Sequence, residues 1–298
     1  MIAQRKTGEA TRRTGRDEKG VPQVRGFIFD IDGTLALADP SGKGYRALPG
    51  AREIVSRLNA AAVPAVAFTN GTLHTPEEYQ ASLSSIGIEF PVGRVITPAS
   101  VAAEYFVKRD IRRVLVLGIE GAIQPLREAG LDIVRPDGNL EGVQAVLVAW
   151  FPGFRFSDLD AACRAVWAGA ALFTVSNAPF FASRGGRMLG ISGAIVAMVT
   201  SVTGRRAMVL GKPSVHGVNF ACARMGLRPA EIAVVGDDPA LEASMARRAG
   251  ALAIGVLTGV AGREAYLALP KTKSAHIILD SIADLLTTNL VPAEAAAE

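Results

Sequence analysis

Residues 30–35 read Asp-Ile-Asp-Gly-Thr-Leu (DIDGTL), and they close a short apolar run that begins at residue 24 (VRGFIF). Two carboxylates two residues apart at the mouth of a buried strand repel each other and lose solvation. Both effects raise their pKa values, and a bound divalent cation reverses them. Gly33 and Thr34 suit a turn whose backbone comes close to an anion. A calcium-binding EF-hand loop needs Gly at its sixth position and Glu at its twelfth; here Gly33 is fourth and Ser41 twelfth. A turn merely capped by aspartate would explain this stretch but not the three motifs that accompany it.

Working outward, residues 63–68 (VPAVAF) form a second apolar run and end at Thr69-Asn70. A third, 208–210, ends at Gly211-Lys212, and a fourth, 232–235, ends at Gly236-Asp237. Near-continuous apolar runs alternating with helical segments predict a parallel sheet buried on both faces. In such sheets ligands bind at the carboxyl ends of the strands, where all four runs deliver polar residues. Helices fall between them. Thr75-Pro76-Glu77-Glu78 carries an N-cap, a proline at the first helical position and a capping-box glutamate, so a helix should run to about residue 85 and stop at Gly87. Another begins at Ser157, with Leu159, Cys163, Val166 and Trp167 on one face.

The motifs are unevenly spaced: 39 residues from Asp30 to Thr69, 143 from Thr69 to Lys212, and 25 from Lys212 to Asp237. A strand–helix unit with its loops takes about 30–40 residues, so about 100 residues are inserted before Lys212. The insert has its own α/β pattern, with strands expected at 114–118, 144–150 and 171–176 and a helix at 192–203. The expected organisation is a basic tail at 1–20, a discontinuous core at 21–95 and 206–290, and an inserted domain at 96–205. The fold class is α/β: a Rossmann-like, doubly wound parallel sheet with an inserted α/β cap.

Composition narrows the function classes. The 298 residues are 49% hydrophobic and 20% charged, a globular rather than a disordered balance. The net charge of +4 is concentrated at the N-terminus, where residues 1–20 hold six basic and three acidic side chains. With the body nearly balanced, nucleic acid is not the expected partner. Cys163 and Cys222 make neither metal spacing nor a disulfide framework. No apolar run reaches the ~20 residues of a membrane span, and no secretory signal opens the chain. The expectation is a cytoplasmic protein that engages neither membrane nor nucleic acid.

With DIDGTL (30–35), FTNGT (68–72), GKPS (211–214) and VVGDDPALE (234–242) in this order, the chain resembles the haloacid dehalogenase (HAD) superfamily of aspartate-nucleophile phosphohydrolases. The insert between the second and third motifs resembles subfamily IIA, the branch of p-nitrophenyl, phosphoglycolate and pyridoxal phosphatases. The resemblance implies that Asp30 attacks phosphorus and Asp32 is general acid and base. It further implies that Thr69, Asn70 and Lys212 hold the phosphate, and that Asp30, Asp237 and the Asp32 carbonyl bind Mg²⁺. The charge balance makes physical sense of these roles. Without Mg²⁺ and Lys212, several carboxylates and a phosphate dianion could not share one pocket.

Two features depart from the family pattern. Glu242 stands where an aspartate is usual and is expected to orient metal waters or Lys212; Asp238 is the alternative ligand to Asp237. In the cap, Asn177-Ala178-Pro179 lacks the aspartate common after this turn. The substrate expected is a small phosphorylated metabolite, and cap-mediated dimers among the relatives make a homodimer an option. A phosphomutase or a catalytically silent binding protein on the same fold is the alternative. His74, His216 and His276 have no metal spacing and read as surface or packing residues. Arg184 and Arg187 read as a solvated loop, and Trp150, Phe151, Phe154 and Phe156 as a core or cap–cap cluster.

Overall fold

The computed structural model describes residues 24–38, 44–183 and 186–293. Six parallel strands form one sheet, in the order Ile277–Leu279, Leu252–Val256, Ile232–Gly236, Gly26–Phe29, Ala65–Phe68, Val95–Ile96. Side chains alternate across a strand, so Phe27 and Phe29 enter the core on one face while Ile28 enters the core on the other. Burial on both faces explains why this strand reads as an unbroken apolar run. Strand order reverses at Gly26–Phe29, the switch point where open α/β sheets bind ligands. There Phe29 is in register with Val235 on one side and Ala67 on the other, bringing Asp30, Thr69 and Asp237 to the same edge.

A second parallel sheet has five strands, in the order Met208–Val209, Ala171–Thr174, Ala145–Val148, Arg113–Leu117, Asp132–Val134. It too is covered on both faces, Val114 and Val116 facing one core and Leu115 and Leu117 the other. Met208–Val209 corrects the sequence expectation. The sequence places it in the same sheet as Gly26–Phe29, but it pairs with Ala171–Thr174 and so extends the sheet of the insert. Apolar character marks burial and does not say in which of two sheets.

The capping motif at residue 75 forms as expected. Glu78 N donates to Thr75 Oγ1 at 3.2 Å and Thr75 N donates to Glu78 Oε2 at 2.8 Å, opening the helix Pro76–Ser84. The helix Phe156–Trp167 buries Cys163 and Val166, but Trp167, expected on that face, is 62% exposed at the last turn. Of the aromatic group, Phe151 and Phe154 meet edge to face at 6.5 Å, whereas Phe156 is exposed. Residues 1–20, Arg184 and the side chain of Arg187 lie outside the described residues.

Candidate active site

The strand Gly26–Phe29 ends at Asp30, which is buried among three carboxylates and one cation. Thr34 Oγ1 donates to Asp30 Oδ2 at 3.3 Å. The ammonium of Lys212 bonds Asp30 Oδ1 and, at 2.7 Å, Glu242 Oε1. Burial pulls the Lys212 pKa down, but Asp30 and Glu242 outweigh it and hold the ammonium charged, above its ordinary range. Glu242 is buried as well, and its other oxygen, Oε2, accepts from Asp238 N at 3.1 Å. Room for this glutamate comes from Gly236, where a Cβ would stand 2.1 Å from Glu242 Cγ. Burial drives the Glu242 carboxyl above the usual carboxylate range, against the pull of Lys212.

Asp237 stands beside the turn that follows Asp30. Burial, then the charges of Asp30 and Glu242, push its carboxyl upward, while a hydrogen bond from Val260 N to Oδ2 (2.8 Å) opposes them. Asp32 is exposed at its surface yet crowded by protein on its inner side. That crowding and the charge of Asp30 raise its pKa to about 7, against Lys212 and a hydrogen bond with Tyr45. A carboxyl poised near neutrality can both give and take a proton at working pH.

Thr69 and Asn70 follow the strand Ala65–Phe68. Gly71 N donates to Thr69 Oγ1 at 3.0 Å, which leaves the hydroxyl proton of Thr69 for an incoming oxygen. The Asn70 side chain bonds the Lys212 main chain: its Nδ2 donates to Lys212 O at 3.1 Å and its Oδ1 accepts from Lys212 N at 2.7 Å. The amide thus fixes the backbone of the lysine. Asp238 also has a local task, accepting from Ala240 N at 2.7 Å to cap the π-helical turn Pro239–Ala243.

The insert closes on this edge. Trp150 N donates to Thr72 Oγ1 at 3.2 Å, and a Cβ on Gly121 would lie 2.6 Å from the main-chain oxygens of Thr72 and His74. None of the three histidines contacts Asp30, Asp32, Asp237 or Glu242 in the described structure; His74 instead lies 3.7 Å from Glu78. His74 packs on Tyr79, His216 on Tyr105, and His276 Nδ1 accepts from Ala253 N.

Among the described residues, no three His, Cys, Asp or Glu side chains gather into a cage for a metal. Asp30 and Asp237 instead offer two carboxylates, with the Asp32 main chain beside them. A hard cation that takes few protein oxygens and keeps its waters, such as Mg²⁺, fits this donor set. It also fits the charge, since among the described residues Asp30, Asp237 and Glu242 share a single buried cation, Lys212. The sequence reading missed Tyr45 and Val260. Tyr45 lies in an unremarkable polar stretch, and Val260 contributes only a main-chain N–H.

Two family models match the chain: haloacid dehalogenase-like hydrolase over residues 27–132, and HAD-hydrolase-like over residues 209–285. Together they span more than half of it. Chronophin of Rattus norvegicus is 29% identical over 276 residues, covering 89% of this chain and 87% of its own. The sugar-phosphatase AraL of Bacillus subtilis is 28% identical over 263 residues, covering 87% and 91%. The glycerol phosphate phosphatase of Mycobacterium tuberculosis, solved in complex with magnesium, superposes with a TM-score of 0.76 at 26% identity, over 89% of this chain and 77% of that one.

Proposed function

The chain belongs to the haloacid dehalogenase-like hydrolases, and from that premise we infer that it is a phosphatase acting on a small phosphorylated metabolite through an aspartyl-phosphate on Asp30. The observation that carries the reading is the buried ammonium of Lys212 between Asp30 and Glu242, with Asp32, two residues on from Asp30, poised near pH 7. Named phosphatases among the relatives support the reaction class.

In the first displacement an Asp30 oxygen bonds to phosphorus as the bond to the leaving oxygen breaks, and Asp32 gives that oxygen its proton. In the second, water attacks phosphorus, Asp32 takes the water's proton, and the Asp30–phosphorus bond breaks to release phosphate. Lys212 and the Thr69 hydroxyl meet the charge on the phosphoryl oxygens, in a buried site where such contacts are strong. Asn70 and Glu242 hold Lys212 in place from its backbone and its ammonium. Asp30, Asp237 and the Asp32 carbonyl would hold Mg²⁺, which when bound supplies the positive charge that lets a phosphate dianion lie against Asp30. Cys163 and Cys222, both free and buried, accord with a reducing cytoplasm.

Release of inorganic phosphate from a panel of small phosphate esters tests this, run with Mg²⁺, with EDTA, and with Asp30→Asn. Turnover that requires both the metal and Asp30 is expected. Turnover retained by Asp30→Asn, or none on any ester by folded wild-type protein, overturns it.

A further inference from the structure

The turn Thr258-Gly259-Val260, after the strand Leu252–Val256, touches both halves of the carboxylate cluster, and beyond the bond from Val260 N to Asp237 no role assigned above uses it. Thr258 Oγ1 donates to the main-chain oxygen of Gly33 at 2.6 Å, and Val260 N donates to Asp237 Oδ2 at 2.8 Å. The space between these bonds is closed. A Cβ on Gly259 would lie 1.8 Å from Asp237 Oδ2; one on Gly33 would lie 2.5 Å from the same oxygen and 2.9 Å from Gly259 Cα. Gly33 also has φ +82°, in the left-handed region. One carboxylate oxygen of Asp237 is therefore packed between two glycine backbones and bonded to the same short loop that grips the turn after Asp30.

We propose that Thr258 is a positioning residue: through the Gly33 carbonyl it ties the nucleophile turn to the loop that holds Asp237, and so fixes how far Asp30 and Asp237 stand apart. The sheet sets the ends of their strands, but the loops beyond are free to splay, and two like charges drive them to do so. Mg²⁺ accepts only near-octahedral oxygens at about 2.0–2.1 Å, so its affinity depends on that separation. The proposal rests on the reading that these carboxylates share the metal.

The test is calorimetric titration of Mg²⁺ into metal-free wild type, Thr258→Val and Thr258→Ser, with the melting temperature of each recorded without metal. Valine keeps the branching and the bulk but loses the hydroxyl; serine keeps the hydroxyl. Loss of a hydrogen bond made directly to a metal ligand weakens binding about 10–100-fold; Thr258 bonds the carbonyl of Gly33, one residue beyond the Asp32 carbonyl, so Thr258→Val should raise Kd about tenfold, at the lower end of that range. Thr258→Ser should stay within about threefold of wild type. Thr258→Val with a wild-type Kd overturns the proposal, as does Thr258→Ser impaired equally; a purely structural role would shift melting temperature and leave Kd alone. Wild type that binds no Mg²⁺ overturns both the proposal and the metal-dependent reading. Wild type that binds Mg²⁺ yet releases no phosphate from any ester removes the phosphatase reading alone, and the same Kd comparison still decides the role of Thr258.

Discussion

Replacing Lys212 with methionine removes the single buried cation from a cluster of buried carboxylates, and the consequence depends on pH. Lys212 and Glu242 are each 3% exposed and 2.7 Å apart. At an effective dielectric of about 20, that separation corresponds to an attraction of about 6 kcal/mol, most of it offset by the desolvation of both groups. Removing one member of such a pair leaves a charge without a partner and costs about 3–5 kcal/mol. Glu242 can escape by taking up a proton, and burial already holds its carboxyl above the usual range with Lys212 present. Without the ammonium it rises further. A folded-state pKa above the unfolded one means that the folded form binds the extra proton, so the variant gains stability as pH falls. Each pH unit crossed by a carboxylate neutral in the fold and ionised when unfolded is worth up to about 1.4 kcal/mol. Urea denaturation of metal-free protein at pH 8 and pH 6 should show a deficit of about 3–5 kcal/mol at pH 8, smaller by about 1 kcal/mol or more at pH 6. A deficit equal at both pH values, or below about 1 kcal/mol at pH 8, would refute the placement of Lys212 between two buried carboxylates.

Further outcomes follow from other parts of the site. Asp32→Asn should lower turnover about 10²–10⁴-fold, with a larger loss on alkyl phosphates than on p-nitrophenyl phosphate, whose leaving group needs no proton; steady-state rates on both ester types check this. Because the Asp237 carboxyl is held above its ordinary range in the metal-free protein, Mg²⁺ must displace a proton at low pH. Affinity should fall from pH 8 to pH 6, by up to about tenfold per pH unit for one proton released, as measured by calorimetry in buffers of different ionisation heat. Thr75→Ala removes the cap of the helix Pro76–Ser84 and should cost about 1 kcal/mol, read as a lower urea midpoint at unchanged slope.

The parts of this molecule most legible in its sequence are those where one residue type performs one task. The paired carboxylates at 30 and 32, the lysine at 212 and the capping box at 75 name their chemistry through their side chains. Met208–Val209 did not, because pairing partners are chosen by long-range geometry that an apolar dipeptide does not encode. The strand Leu252–Val256 is as apolar as its neighbours, yet no charged group marks its end. Its loop acts through a hydroxyl, a missing Cβ and a main-chain N–H, none of which stands out from the surrounding Thr, Gly and Val. The Asn70 side chain bonds the backbone of Lys212, a pairing the sequence does not mark because an amide serves a backbone as readily as a phosphate.

The pairing of Met208–Val209 with the insert has a mechanical side. Leu210 N and Gly211 N go on bonding to Thr174 O and Val175 O, at 2.9 and 3.1 Å, after the strand has formally ended. The very next peptide, that of Lys212, is gripped by Asn70 from the other sheet. No slack separates the two grips. Any displacement of the insert's sheet relative to the six-stranded one would therefore pull directly on the peptide that carries the Lys212 ammonium, because the segment that joins the two sheets is also the one that holds the buried positive charge.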